Sequence, residues 1–171
     1  MTAFDDRPET APGRAFFQEL LWVHAAIRRD LETVRRLAAD VTAGLAAGDV
    51  QAELKQLETN GPLWQLKLNC LGYCRFVHMH HGAEDRMLFP TLRQLDPSLE
   101  PVIDRLEADH RRVSDLLDAV ETAAADLTER GGDGARRRVA DGLDELAAHL
   151  LEHLDFEERR AGPAIRRLRR L

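Results

Sequence analysis

The stretch Phe76-Val-His-Met-His-His-Gly-Ala-Glu-Asp-Arg-Met-Leu-Phe-Pro90 sets three histidines and a glutamate in a segment of helical, largely apolar character. His80 stands four residues before Glu84, and on a helix two such positions lie one turn apart on the same face. The spacing therefore offers an imidazole and a carboxylate to one point, which is a chelating geometry. Near the C-terminus, Glu152-His-Leu-Asp-Phe-Glu-Glu158 repeats the interval with His153 and Glu157, and Pro163 follows. Two isolated histidines, His24 and His110, complete the set.

Outward from this stretch the chain reads as helices. Leu66, Cys70, Tyr73, Val77, His80, Glu84, Met87 and Thr91 form the seam of a helix from about residue 63 to 94, with Pro90 a kink or stop in its last turns. An earlier seam runs Phe17, Leu20, His24, Ile27, Leu31, Val34, Ala38, Val41 and Leu45. A third runs Leu99, Ile103, Leu106, His110, Val113, Leu117, Val120 and Ala124, with Asp96 as N-cap and Pro97 in the first turn. A fourth runs Val139, Leu143, Leu146, Leu150, His153 and Glu157. Gly44, Gly48 and Thr59-Asn-Gly-Pro62 punctuate the first link, where residues 49–58 form a short connecting helix, and Gly131-Gly-Asp-Gly134 the third.

The 171 residues make one domain, long enough to bury a core without disulfides. The chain is rich in Ala, Leu, Arg, Glu and Asp and poor in aromatic and β-branched residues, which favours helix over sheet. The expected fold is all-α, an up-down-up-down four-helix bundle over residues 14–171 with a short basic C-terminal tail, preceded by a flexible segment at 1–13. A formal charge of −6 gives a nucleic-acid partner no support. No membrane span or signal peptide is expected, and the protein reads as cytoplasmic. Cys70 and Cys74, four apart on one helix, read as reduced buried thiols.

Register then locates the histidines. His24 and His110 lie about 15 to 18 Å into their helices at 1.5 Å per residue. His80 with Glu84, and His153 with Glu157, lie a comparable distance from the ends of theirs. Because neighbouring helices are antiparallel, four imidazoles and two carboxylates fall at one level of the bundle. Such groups lose hydration when buried, and metal coordination offsets that loss. Mixed imidazole and carboxylate ligation suits first-row transition metals. The arrangement reads as two ions, with His24 and His80 on one, His110 and His153 on the other, and Glu84 and Glu157 between them.

The order His, His-x-x-x-Glu, His, His-x-x-x-Glu, with "HHGAEDRMLFP" and "HLDFEERRAGP", resembles the hemerythrin-like (HHE cation-binding) family from about Phe16 to Pro163. The resemblance implies a non-haem di-iron centre with an oxo or hydroxo bridge that meets dioxygen, hydrogen peroxide or nitric oxide. Family members serve in oxygen binding, in oxygen or iron sensing, and in peroxide or nitric-oxide handling. Oxygen-carrying hemerythrins have a further histidine four residues after the one on the third helix, where this chain has Ser114. Their fourth-helix carboxylate is an aspartate five residues after its histidine, where Glu157 comes after four. One imidazole fewer points toward redox turnover of peroxide or nitric oxide, with oxygen binding or sensing as the alternative.

Other groups have weaker parts in this reading. His81 with Asp85 could replace His80 with Glu84 on a rotated helix, but the seam through His81 would also bring Lys67 and His78 inward. His81, His149, Tyr73 and Ser114 are otherwise outer groups around the centre. Trp22 and Trp64 read as packing residues. Glu107-Ala-Asp-His110 matches one Glu-x-x-His element of ferritin-like proteins, which need two, so ferroxidase or iron storage is a weaker alternative.

Overall fold

The computed structural model describes residues 7–44, 62–127 and 133–169, and every element among them is helical. Helix α1 spans Ala11–Gly44 and α2 Pro62–Ala83. The chain then widens into a π-helical turn, Glu84–Leu88, and resumes as α3, Phe89–Leu95. A 3₁₀ turn, Pro97–Leu99, leads into α4, Glu100–Ala125; α5 runs Asp133–Arg160 and a short α6 spans Gly162–Ile165. The expected connecting helix at residues 49–58, the end of the first seam at Leu45 and most of the glycine links lie outside the described residues.

The described members of the seams expected for the first, third and fourth long helices are buried, save Leu99, which is half-buried; the side chain of Val41 lies outside the described residues. Phe17, Leu20, Ile27, Leu31, Val34 and Ala38 line the inner face of α1, Ile103 to Ala124 that of α4, and Val139 to Leu150 that of α5. Fully burying one such aliphatic side chain contributes about 1.5–3 kcal/mol, so these stripes dominate the helices' stability. Helix α1 packs on α2 and α5, and α4 packs on α2 and α5. Asp96 caps the 3₁₀ turn as expected, its side chain accepting from the Ser98 amide at 3.1 Å and the Ser98 hydroxyl at 2.7 Å.

The second seam departs from expectation after Glu84. Met87 is 58 % exposed, and Leu88, Phe89 and Leu92 are buried in its place. The cause is the π-helical turn, whose extra residue rotates everything after it. Pro90 falls just beyond, in the first turn of α3, where a ring that carries no N–H is tolerated. The proline therefore neither stops nor ends the helix.

Two apolar clusters result, and they lie on opposite sides of one polar layer. The larger holds Ile27, Leu31, Val77, Val113, Leu117 and Leu150; the smaller holds Phe17, Leu20, Leu88, Phe89, Leu106 and Ile165. On every long helix the inward histidines fall near the boundary between the two clusters. The smaller cluster is closed by the chain ends. Thr10 N–H donates to the Arg166 carbonyl at 2.9 Å, the Thr10 hydroxyl donates to the Leu168 carbonyl, and Arg166 pairs with Glu9 at 2.6 Å. Residues 10–13, the end of the expected flexible segment 1–13, are thus docked, and Arg166 and Arg167 of the basic tail have partners.

Gly13 lies so close to the Arg166 carbonyl that a Cβ there would collide with it. A Cβ on Gly162 would come within 2.8 Å of the Phe17 ring. Among the described residues no helix is long and apolar enough to cross a membrane. Cys70 and Cys74 are buried free thiols, as expected. Trp22 is 68 % exposed, against the packing role expected of it, because it falls off the inner stripe of α1.

Candidate metal centre

Each inner helix face delivers its donors to the polar layer through its own periodicity. His24 follows Leu20 and precedes Ile27 on α1, His110 sits between Leu106 and Val113 on α4, and His153 and Glu157 continue the α5 line beyond Leu150. His24, His110, His153, Glu84 and Glu157 are all buried, and His80 keeps 9 % of its side chain exposed. The six residues singled out by spacing are therefore brought together. His24 and His80 meet Nε2 to Nε2 at 3.1 Å, and so do His110 and His153. Two donors bound to one cation at about 2.1 Å and about 90° apart lie about 3.0 Å from each other.

Glu84 stands between these pairs. Its Oε1 lies 3.3 Å from Nε2 of His80 and 4.0 Å from Nε2 of His24, while Oε2 lies 3.5 Å from Nε2 of His110. Glu157 Oε2 lies 3.4 Å from Nε2 of His24. All four carboxylate oxygens are buried without a hydrogen-bond donor. An unsatisfied buried polar group costs about 1–3 kcal/mol, more if charged, so the layer calls for a positive partner. Imidazole and carboxylate donors fit a first-row divalent or trivalent cation.

His81 is a seventh buried member of the layer, where the spacing alone places it among the outer groups. It is 5 % exposed and stacks on His110, centroids 4.0 Å apart and planes at 11°. His81, Glu84, His110 and His153 each offer a donor atom within 4.8 Å of the others, and His24, His80 and Glu84 form a second such group. His81 lies one heptad after buried Cys74 without drawing His78 inward, and the side chain of Lys67, the other residue expected on that seam, lies outside the described residues. His78 stays at the flank, 3.4 Å from Asp118. The inner stripe of α2 is wide enough for both His80 and His81, and the signal was the adjacent pair Cys70, Tyr73 and Cys74, Val77 that precedes them.

The outer groups fare differently. Asp85 is 2.7 Å from Nδ1 of His110. Ser114 is half-buried and His149 exposed, the latter lining a small cleft with Arg105, Asp109 and Glu152 outside His153. Tyr73 is buried in the larger apolar cluster with an unpartnered hydroxyl. Glu107 binds Arg93 at 3.0 Å, so the single Glu-x-x-His element sends its carboxylate away from the layer.

Nδ1–H of His24 donates to Glu158 at 2.9 Å and Nδ1–H of His110 to Asp85, since a carboxylate only accepts. Their inner Nε2 atoms face the layer, that of His24 toward Glu157 and that of His110 toward Glu84. Burial, reinforced by His24, pushes His80 down to about 3, and burial with His110 beside it pushes His81 well below its ordinary range. Burial and the charge of Glu157 push Glu84 well up. Burial also opposes the Glu157 charge, but His24 outweighs it and holds that carboxylate low. Neutral imidazoles beside carboxylates are what cation binding needs.

The hemerythrin HHE cation-binding domain model matches residues 24–165. The chain belongs to the hemerythrin HHE cation-binding family. The match begins at His24, one of the converging histidines, and runs through all four long helices. No curated protein and no solved structure matches the chain. As an HHE domain it is a metal-binding helical protein whose histidine and glutamate groups have the donor set for a cation.

Proposed function

We propose that this HHE protein holds two iron ions through His24, His80, His81, Glu84, His110, His153 and Glu157 and turns over hydrogen peroxide or nitric oxide there. The observation that carries the reading is Glu84, whose two oxygens face different sets of imidazoles. A carboxylate so placed joins two cations rather than serving one. We take the fold as an up-down-up-down four-helix bundle forming one domain over residues 14–171, extended by the docked residues 10–13.

Iron, when bound, supplies Lewis acidity and a change of oxidation state. The protein supplies access and proton handling. His80 is the least covered of the inward imidazoles, so a molecule of a few atoms reaches the His24 and His80 side. Phe89, stacked on His110 at 5.1 Å, and the two apolar clusters exclude larger substrates. Glu157, Glu158 and Arg28 lie beside His24 and favour chemistry that moves protons over carriage of an unchanged ligand. A cytoplasmic setting fits the two free thiols, which burial pushes up to about 12 and so keeps unreactive.

Reversible dioxygen binding or sensing is the second reading, and one observation favours it. Five inward imidazoles replace the four counted from spacing, so the deficit left by Ser114 no longer argues against carriage. An oxygen electrode separates the two. Peroxide added to iron-loaded protein should release oxygen, two peroxides giving two waters and one O₂, and His80→Ala should abolish the release. No oxygen release, with an optical spectrum that reverses on removing dioxygen, would replace turnover by binding.

A further inference from the structure

Three of the inward histidines turn their outer nitrogen toward a carboxylate carried by the sequence neighbour of another member of the layer. Asp85, next to Glu84, accepts from His110 at 2.7 Å; Glu158, next to Glu157, accepts from His24 at 2.9 Å; Asp109, next to His110, faces His153 at 3.9 Å. Adjacent helix positions point about 100° apart, so one side chain enters the layer while its neighbour reaches the flank of the next helix. The arrangement is not symmetric. Glu158 also accepts from Arg28 at 2.8 Å, and Arg28 is anchored to Asp155 at 2.7 Å. No arginine shares Asp85 among the described residues.

A carboxylate on one imidazole nitrogen fixes the tautomer, orients the ring and raises the basicity of the other nitrogen. A guanidinium on that carboxylate draws the charge back. We propose that Asp85 and Glu158 are positioning residues that strengthen His110 and His24 as donors toward the two cations, and that Arg28, by sharing Glu158, keeps the His24 side the weaker donor. The inference rests on the di-iron reading above. Stronger donation favours the ferric over the ferrous state, so each residue sets a reduction potential with a definite sign.

The test uses the full chain loaded with iron and compares wild type, Asp85→Asn, Glu158→Gln and Arg28→Gln by spectroelectrochemical titration and by competition with a ferrous chelator. Asp85→Asn and Glu158→Gln should raise the potential and weaken iron binding by about 10–100-fold, Asp85→Asn more strongly. Arg28→Gln should lower the potential, a change opposite to that of Glu158→Gln, which mere loosening of the helix contact would not produce. Asp85 is 43 % exposed in its side chain, so metal-free Asp85→Asn should melt as wild type does. Unmoved potential and affinity in Asp85→Asn, or shifts of the same sign in Arg28→Gln and Glu158→Gln, would overturn the inference while leaving the di-iron reading intact. Wild-type protein that takes up no iron would overturn both.

Discussion

His81→Ala removes one of three rings grouped with Glu84 in the half of the layer that also holds His110 and His153. Iron affinity should fall by at least the roughly 10–100-fold typical of losing an outer partner, read by chelator competition. His149→Ala should change it little, because that ring lies on the outer cleft. Tyr73→Phe deletes a buried hydroxyl that has no partner, so it should be neutral or stabilise by about 1 kcal/mol in thermal melts. At this scale the sequence was largely readable. His24, His80, Glu84, His110, His153 and Glu157 follow from three- and four-residue spacing, which fixes a face. His81 did not follow, because a single-line seam cannot represent a stripe two residues wide.

The π-helical turn Glu84–Leu88 is the element that spacing could not foresee, since it inserts a residue into an otherwise regular 3.6-residue period. Pro90 marks the same stretch, but a proline by itself signals a kink or a stop and not an inserted residue. The rotated register has a direct consequence for stability. Leu92→Ala should cost about 2–5 kcal/mol by denaturant unfolding, whereas Met87→Ala should stay within about 0.5 kcal/mol. The reverse order would restore the unrotated seam. The clasp between residues 9–13 and the C-terminal segment was equally hidden, because contacts across more than 150 positions leave no periodic trace. Gly13→Ala forces a Cβ into the Arg166 carbonyl and should cost about 1–3 kcal/mol.

For the molecule as a whole, a polar layer between two apolar clusters makes metal-free stability depend on pH in both directions. His80, held near 3, and His81, held low, refuse a proton that the unfolded chain accepts below the ordinary value of 6.5. Their stability, complete above about 6.5, is lost as pH falls, and Glu157 adds to the loss below about 4.5. Glu84, held high, keeps a proton that the unfolded chain releases above 4.5, so its contribution is lost as pH rises. Because two imidazoles oppose one carboxyl below about 6.5, the melting temperature of metal-free protein should peak near pH 6.5, and iron should remove the alkaline decline by neutralising Glu84. Chelation at neutral pH should lower the melting temperature for the same reason.

The most direct measurement is anomalous diffraction at the iron edge on crystals of protein from iron-replete cells. Two peaks should flank Glu84, one within bonding distance of His24 and His80 and the other of His81, His110 and His153. A single peak, or none within the layer, would contradict the account.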